Sequence, residues 1–532
     1  MVRWAIRSPS DAVLDGGAGE SVFLAAAAER LLDLGADREA ACRQIHGVEL
    51  DELSAKLARK AVANVLGLEQ GSPGIKAGSF FEELPGRSLP QVQACIGNPP
   101  YIRYQSFSGE SRRTALLRAA EGGVKLTGLS SSWAPFLVHT CRFLAPDGRL
   151  AQVLPAELLQ TGYAEPIREF LIHRFRSVLM IVFDARVFPG ALEEVVLLLA
   201  GEDGQPGLQI REAPDLTSLS GIIERRSGRT RSVKRPSGKW TKYLLRHAEL
   251  ASYETGSHHS EIGRLNDYGR TEIGVVTGAN SFFVLDEESV AGAGLIAEDL
   301  RLAVSKAEHI QGLRLTRGDM KRLSARGQRS LLFYPMQEKP TGKTAAYIRS
   351  GEWIGLHHRY KCRNREPWWK VPGVKVPDAF VTYMSHEVPR LVVNKAKSVS
   401  TNTVHGIYLT NQKALLRRVL PVLFLNSLTL LSAEIEGRSY GGGVLKLEPK
   451  ECDRLLLPRV ELLSENVIEE LRQMIQAADG QVRAGDVSQV REAVDDLVLV
   501  RSLGFTSQQL TSIRSARERL LARRRSRMGT KP

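Results

Sequence analysis

The 532-residue chain carries 73 Lys and Arg against 59 Asp and Glu, a formal net charge of +14, with 43% hydrophobic and 25% charged residues. Such a composition predicts a soluble globular protein of roughly two to four domains, and neither a membrane-spanning run nor a signal peptide is read from it. Five scattered cysteines (Cys42, Cys95, Cys141, Cys362 and Cys452) exclude a disulfide framework and fit the reduced thiols of a cytoplasmic protein.

In chain order, residues 12–15 (Ala-Val-Leu-Asp) read as a buried strand ending in an acid. A Gly-rich turn, Gly16-Gly17-Ala18-Gly19-Glu20-Ser21, and an alanine-rich helix over residues 22–34 follow. Strand, Gly-rich turn and helix open a doubly wound α/β domain, because glycines let a ligand approach the backbone. The spacing is not the dinucleotide G-x-G-x-x-G, which argues against NAD or FAD. A second strand ends at Glu49, where a carboxylate can accept both hydroxyls of a ribose or cap the helix from Asp51. A third strand, near residues 74–77, leads to Gly78-Ser79-Phe80-Phe81.

A fourth strand over residues 92–96 delivers Gly97-Asn98-Pro99-Pro100-Tyr101. Two prolines cannot lie inside a helix or central strand, and each pushes the preceding residue into extended backbone. Residues 98–101 are therefore expected to form a stiff loop with Asn98 and Tyr101 aimed in fixed directions. Helical periodicity follows over residues 133–144 and 167–175, and strands over 149–154, 178–183 and 194–200. The last two strands flank a loop containing Phe188-Pro189-Gly190.

Residues 1–200 contain 21 Lys and Arg and 22 Asp and Glu, whereas the remainder contains 52 and 37. A neutral front half and a basic back half predict separate domains for chemistry and polyanion binding. Residues 201–240 read as a basic linker whose Arg229, Arg231, Lys234 and Arg235 are candidate phosphate contacts. From 241 to 460 basic and aromatic residues interleave, notably His357-His358-Arg359-Tyr360-Lys361, Arg363-Asn364-Arg365 and Trp368-Trp369-Lys370. Arg359, Lys361 and Arg363 are the candidates for DNA contact there. Residues 461–532 are expected to be helical, ending in a basic tail around Arg523-Arg524-Arg525 suited to phosphate. His357, His358 and Cys362 lack a second Cys/His pair at zinc spacing, so no metal site is read.

The ordered set Val13-Leu14-Asp15…Gly19, Gly47-Val48-Glu49, Asn98-Pro99-Pro100-Tyr101 and Val187-Phe188-Pro189 resembles the gamma-class adenine-N6 DNA methyltransferases of restriction-modification systems. Thr277-Gly278-Ala279-Asn280-Ser281-Phe282-Phe283, Asn394-Lys395 and Tyr440-Gly441-Gly442-Gly443 look like segments of their target-recognition domains. The resemblance implies a Rossmann-like S-adenosylmethionine-dependent α/β domain over residues 1–200 and an α+β recognition domain over 241–460. It implies duplex DNA as substrate, a base flipped from the stack, and a separate restriction endonuclease or defence subunits as partners. Asn98, Pro99, Pro100 and Tyr101 would be catalytic, with Tyr101 and Phe188 stacking on the base. Asp15, Gly17, Gly19, Glu49, Ser79 and Asn98 would line the cofactor site.

The chain departs from the family's usual pattern at Gly16 (commonly Pro), at Ser21 (commonly Gly) and near Ser79 (commonly an acid). A further cofactor motif usually precedes the first strand, so the sequence predicts a truncated N-terminal motif and weak cofactor binding. Two other readings follow from the same residues. One is a decayed, non-catalytic DNA-binding homologue; the other is a methyltransferase acting on RNA adenine or protein glutamine.

Overall fold

The computed structural model describes residues 1–68, 73–183, 194–224 and 230–526. They fall into two compact units, Met1–Leu244 and Leu245–Pro532.

The first unit is built on nine strands: β1 (Val13–Asp15), β2 (Ile45–Glu49), β3 (Gly74–Ala77), β4 (Val92–Gly97), β5 (Leu144–Pro155), β6 (Ser177–Phe183), β7 (Val195–Gly201), β8 (Gly207–Ala213) and β9 (Thr230–Val233). Their order across the sheet is β3-β2-β1-β4-β5-β7-β6-β8-β9. The first five are parallel, and β7 runs antiparallel to both neighbours. Strand β6 is buried throughout and apolar after Ser177, as a strand covered on both faces must be. Alternation along the strands separates two layers. Val13, Ala94 and Ile96 face a core with Leu24, Leu31, Ala58 and Val62, from the helices Val22–Asp33 and Glu52–Leu66. On the other face Cys95 Sγ donates to the Thr140 carbonyl, 3.7 Å away in the helix Trp133–Cys141.

Helix boundaries follow local chemistry. Asp51 caps Glu52–Leu66 by accepting from the Ser54 N–H at 2.8 Å, and Gly67 closes it in the left-handed conformation at φ +62°.

The structure differs from the linker expected at 201–240. Strand β8 runs parallel to β6, and β9 pairs antiparallel with β8. Leu208, Ile210 and Ala213 are buried, and Ile222 packs into the same core. Low hydrophobicity around these strands made the segment read as a tether; burial of a few apolar side chains is what orders it.

In the second unit a five-stranded sheet runs Gly269–Ile273, His405–Leu409, Ala379–Val381, Leu391–Asn394, Arg314–Leu315 in spatial order. A four-stranded sheet combines Val284–Leu285, Leu331–Phe333, Leu300–Val304 and Val399–Ser400. The apolar helices Lys413–Leu423 and Ser427–Glu436 are largely buried, and the helix Ser507–Arg525 packs on the latter. No single described helix is long and apolar enough to cross a membrane.

Part of the C-terminal basic run is structural. Arg524 and Glu434, each with a side chain 3% exposed, are paired through Nη2···Oε1 at 2.8 Å and Nε···Oε2 at 3.1 Å. Arg519 pairs with Glu249, Arg514 with Asp495 and Arg525 with Glu387. A sequence rich in arginine does not display the scattered acids that meet it, which is why this helix read as a phosphate-binding tail.

Candidate active site

Strand β1 lies between β2 and β4, and the chain moves to opposite sides of β1 in forming them. That reversal opens a crevice outside the carboxyl ends of β1 and β4, the place where open α/β sheets bind ligands. The residues delivered there are Asp15 to Gly19 from β1, Glu49 from β2, Ser79 after β3 and Asn98 to Tyr101 after β4.

The Gly-rich turn is shaped by its neighbours. The Gly17 N–H donates to Asp15 Oδ1 at 3.0 Å, and the Gly19 N–H, at φ +51°, donates to Glu49 Oε2 at 2.8 Å. The other Glu49 oxygen accepts from the Asp51 N–H at 3.1 Å. An ionised carboxylate has about four acceptor positions, so Glu49 retains capacity toward hydroxyl groups. Asp15 is buried and its carboxyl is pushed up to about 7, chiefly by burial; the Gly17 N–H acts against the shift and the Glu49 charge adds to it.

Two of the departures have local explanations. A side chain at Gly16 would begin 2.7 Å from the Phe80 ring, so the aromatic after β3 occupies the space of the usual proline. Phe80 is buried in a cluster with Phe136, His139 and Phe143, at centroid distances of 4.9, 4.8 and 5.2 Å. Burial holds His139 down at about 4, so its neutral ring donates through Nε2 to the Phe80 carbonyl at 3.1 Å. Ser21 keeps the backbone of the glycine it replaces, at φ +61°, with its hydroxyl buried and without a hydrogen-bond partner. Ser79 is half-buried at the start of the turn Phe80–Glu82, and its carbonyl accepts from the Glu82 N–H.

The Asn-Pro-Pro-Tyr loop is held from several sides. Gly97 is required because a Cβ there would stand 2.4 Å from Asp15 Oδ1. Ser132 donates from Oγ to the Pro100 carbonyl and accepts from the Ile102 N–H at 2.8 Å, while its own N–H reaches the Ile102 carbonyl at 3.0 Å. The neighbouring Trp133 indole donates to Tyr163 Oη at 2.8 Å, and Tyr163 donates to Glu157. Ser132, Phe80 and the Trp133–Tyr163–Glu157 chain carried no recognisable sequence signal; only Gly97, directly before the motif, was legible.

Asn98 is exposed at the crevice, with Pro99 buried behind it. Tyr101 Oη lies 2.5 Å from Asn98 Oδ1 and 2.8 Å from the Val153 carbonyl oxygen in β5. Both are acceptors, whereas a phenol has one proton to donate. Turning the Asn98 amide over satisfies both contacts: its NH2 donates to Tyr101 Oη, which donates to Val153. The amide oxygen is then directed away from Tyr101.

The crevice fits a cationic, hydroxyl-bearing cofactor. Side chains at Gly19 and Gly78 would meet no atom within 4 Å, so open space borders both. The acids Asp15 and Glu49 end the adjacent strands.

Among the other expected contacts, Phe188 and Arg229 lie outside the described residues. Arg231 belongs to β9 and pairs with Glu212 at 3.1 Å, so that guanidinium is engaged within the sheet; Lys234 and Arg235 are exposed. In the second unit Arg359, Lys361 and Arg363 are exposed, whereas Cys362 between them is buried. Asn394 is buried and braces its own turn through the Pro377 and Ser398 carbonyls at 2.9 and 2.8 Å. Gly443 offers its carbonyl to Arg524.

Residues 1–204 match the N-6 DNA methylase family, and residues 237–499 match the C-terminal domain of Type II methyltransferase M.Eco57I. Residues 1–204 thus carry the N-6 DNA methylase domain. It is 26% identical to Type II methyltransferase M.XamI of Xanthomonas campestris pv. amaranthicola, over 87% of this chain and 84% of that one. It is 22% identical to Type II methyltransferase M.AccI of Acinetobacter calcoaceticus, over 71% of each. Its fold is similar to that of the Type IIL restriction-modification enzyme MmeI, solved in complex with DNA. That likeness has a TM-score of 0.62 at 11% identity, covering 96% of this methylase and 73% of MmeI.

Proposed function

We propose that this methylase transfers a methyl group from S-adenosylmethionine to the N6 amino group of an adenine turned out of duplex DNA. We place it in a restriction-modification system beside a separate endonuclease that reads the same site. The observation that carries this reading is the Asn98 amide. Tyr101 holds it at the end of β4, in the crevice that also receives Asp15, Gly19 and Glu49.

The adenine amino group is a poor nucleophile because its lone pair is delocalised into the ring. Asn98 Oδ1 and the Pro99 carbonyl accept its two N–H groups and draw the nitrogen toward sp3 geometry. They are acceptors already in place where positive charge develops. The Tyr101 ring stacks on the extruded base, a step that any enzyme reaching an atom inside the duplex must complete. Phe188 is proposed for the opposite face. Glu49 would hold the ribose hydroxyls of the cofactor and Asp15 its cationic end, with Gly17, Gly19 and Ser79 along its length. Bound there, S-adenosylmethionine supplies an electrophilic methyl group. Arg359, Lys361 and Arg363 supply phosphate contacts, which set affinity but not sequence.

The experiment is methyl incorporation from labelled cofactor into duplex DNA, RNA and protein. DNA mapping of N6-methyladenine in expressing cells then gives the site. Asn98→Ala is expected to lower kcat by at least about a hundredfold, as loss of a transition-state hydrogen-bond partner does, with DNA affinity within about threefold of wild type. Label entering only RNA or only protein would overturn the proposal.

A further inference from the structure

The second unit displays an indole that its own core does not use. The helix Gly342–Trp353 ends with Trp353 92% exposed, followed by Ile354 at 64%; Tyr360 in the next short helix is 65% exposed. An aromatic side chain left in water forgoes roughly 200 Å² of burial. Trp368 and Trp369, the aromatic pair conspicuous in sequence, are otherwise occupied: Trp369 is buried, and the Trp368 indole donates to Glu352 Oε1 at 3.0 Å.

The support beneath Trp353 is rigid. A Cβ on Gly351 would stand 2.6 Å from the Trp368 ring and 2.9 Å from Phe282, and Tyr347 stacks on Phe282 at 4.5 Å. Arg365 clamps the loop before Ala279, donating to the Thr277 and Val276 carbonyls at 2.8 and 2.6 Å. The apolar tip is thus presented on a fixed base.

The chain around it is mostly basic, with Glu352 and Glu366 as its acids. Between positions 349 and 365 stand Arg349, Arg359, Lys361, Arg363 and Arg365. The acid among them, Glu352, is the one bonded to Trp368. Arg349 precedes Trp353 by one helical turn and shares its face. Lys361 Nζ and the Arg363 guanidinium lie 5.6 and 5.4 Å from the Tyr360 ring centre, which leaves cations and an aromatic side by side.

We propose that Trp353, with Ile354 beside it, is a wedge that inserts between base pairs of duplex DNA, with Arg349, Arg359, Lys361 and Arg363 on the flanking phosphates. An apolar side chain pushed between base steps unstacks and bends the duplex, and the bend brings more phosphate to the protein. A polyanion with flat apolar bases matches exposed aromatics whose neighbours in the chain are mostly cations. This inference rests on the DNA methylase reading given above.

The test uses the full chain and a fluorescent duplex of about 40 base pairs carrying the mapped site. Affinity is read by anisotropy and bending by energy transfer between the duplex ends. Trp353→Ala should weaken binding at least about tenfold, the usual loss when an aromatic stacking contact is removed, and should abolish the bend. Its salt slope and Tm should match wild type, because the phosphate contacts and the core are untouched. The double variant R359A/K361A should instead lower the salt slope by about 2. If wild type methylates DNA while Trp353→Ala binds and bends as wild type does, the wedge is wrong and the methylase reading stands. If Trp353→Ala changes only the sedimentation of the free protein, the patch is a contact between copies of this chain and the wedge is equally wrong. No methyl incorporation by wild type would strike the methylase reading itself.

Discussion

Asp15 shows how much a single position couples to its surroundings. Its carboxyl, ordinarily at 3.8, is raised to about 7 by burial, so the folded state holds the proton more tightly than the unfolded chain. The sign follows: this group's contribution to stability is full below about pH 4, declines as pH rises toward 7, and is lost above it. Asp15→Asn should therefore flatten the stability profile over that window, measured by urea unfolding at stepped pH. Ser21 is a second such position. A non-glycine residue in the left-handed region costs about 1 kcal/mol, and an unpartnered buried hydroxyl costs about 1–3 kcal/mol; the added freedom of glycine in the unfolded chain offsets part of both. Ser21→Gly should raise stability by about 1–2 kcal/mol in urea unfolding. A lower stability would show that the hydroxyl has an energetic role after all.

At the scale of elements, the Asn-Pro-Pro-Tyr loop was legible because proline restricts backbone whatever surrounds it. What the loop leans on was not. Ser132 is distant in sequence and unremarkable in type, yet it takes the Ile102 N–H and serves the Pro100 carbonyl. Ser132→Ala strands both groups, at about 1–3 kcal/mol. We expect kcat for methyl transfer to fall further than thermal stability does, since the segment freed is the one carrying Asn98; calorimetry alongside turnover measurements separates the two. The linker expected over residues 201–240 gives way to strands β8 and β9 for a related reason. The basic residues are visible one by one, while the pairing of β8 with β6, and of Arg231 in β9 with Glu212 in β8, exists only in the folded chain.

Across the whole molecule, charge is the property most easily misread from sequence. The basic excess of the back half is real, but part of it is spent internally. Glu434→Ala would leave Arg524 buried beside carbonyls without its carboxylate. Breaking one partner of such a pair costs about 3–5 kcal/mol, so a loss of that size is expected in chemical unfolding. Replacing both, as E434L/R524M, should recover most of it. Recovery of none would mean that the His386 and Gly443 carbonyls, not Glu434, are what Arg524 chiefly serves.

The sequence by itself determined the order of strands β1 to β7 and the turns that follow β1 and β4, and the chemical identity of Asn98-Pro99-Pro100-Tyr101. Those are local matters: hydrophobic periodicity, glycine and proline backbone limits, and the functional groups themselves. Tertiary structure decided which residues share a crevice, that Phe80 fills the place beside Gly16, and that Tyr101 reaches both Asn98 and the Val153 carbonyl. It also separated spent cations such as Arg524 from displayed ones such as Arg359, and the packed Trp369 from the exposed Trp353. Each of these depends on contacts between residues far apart in the chain, and a contact partner is not encoded at the position it completes.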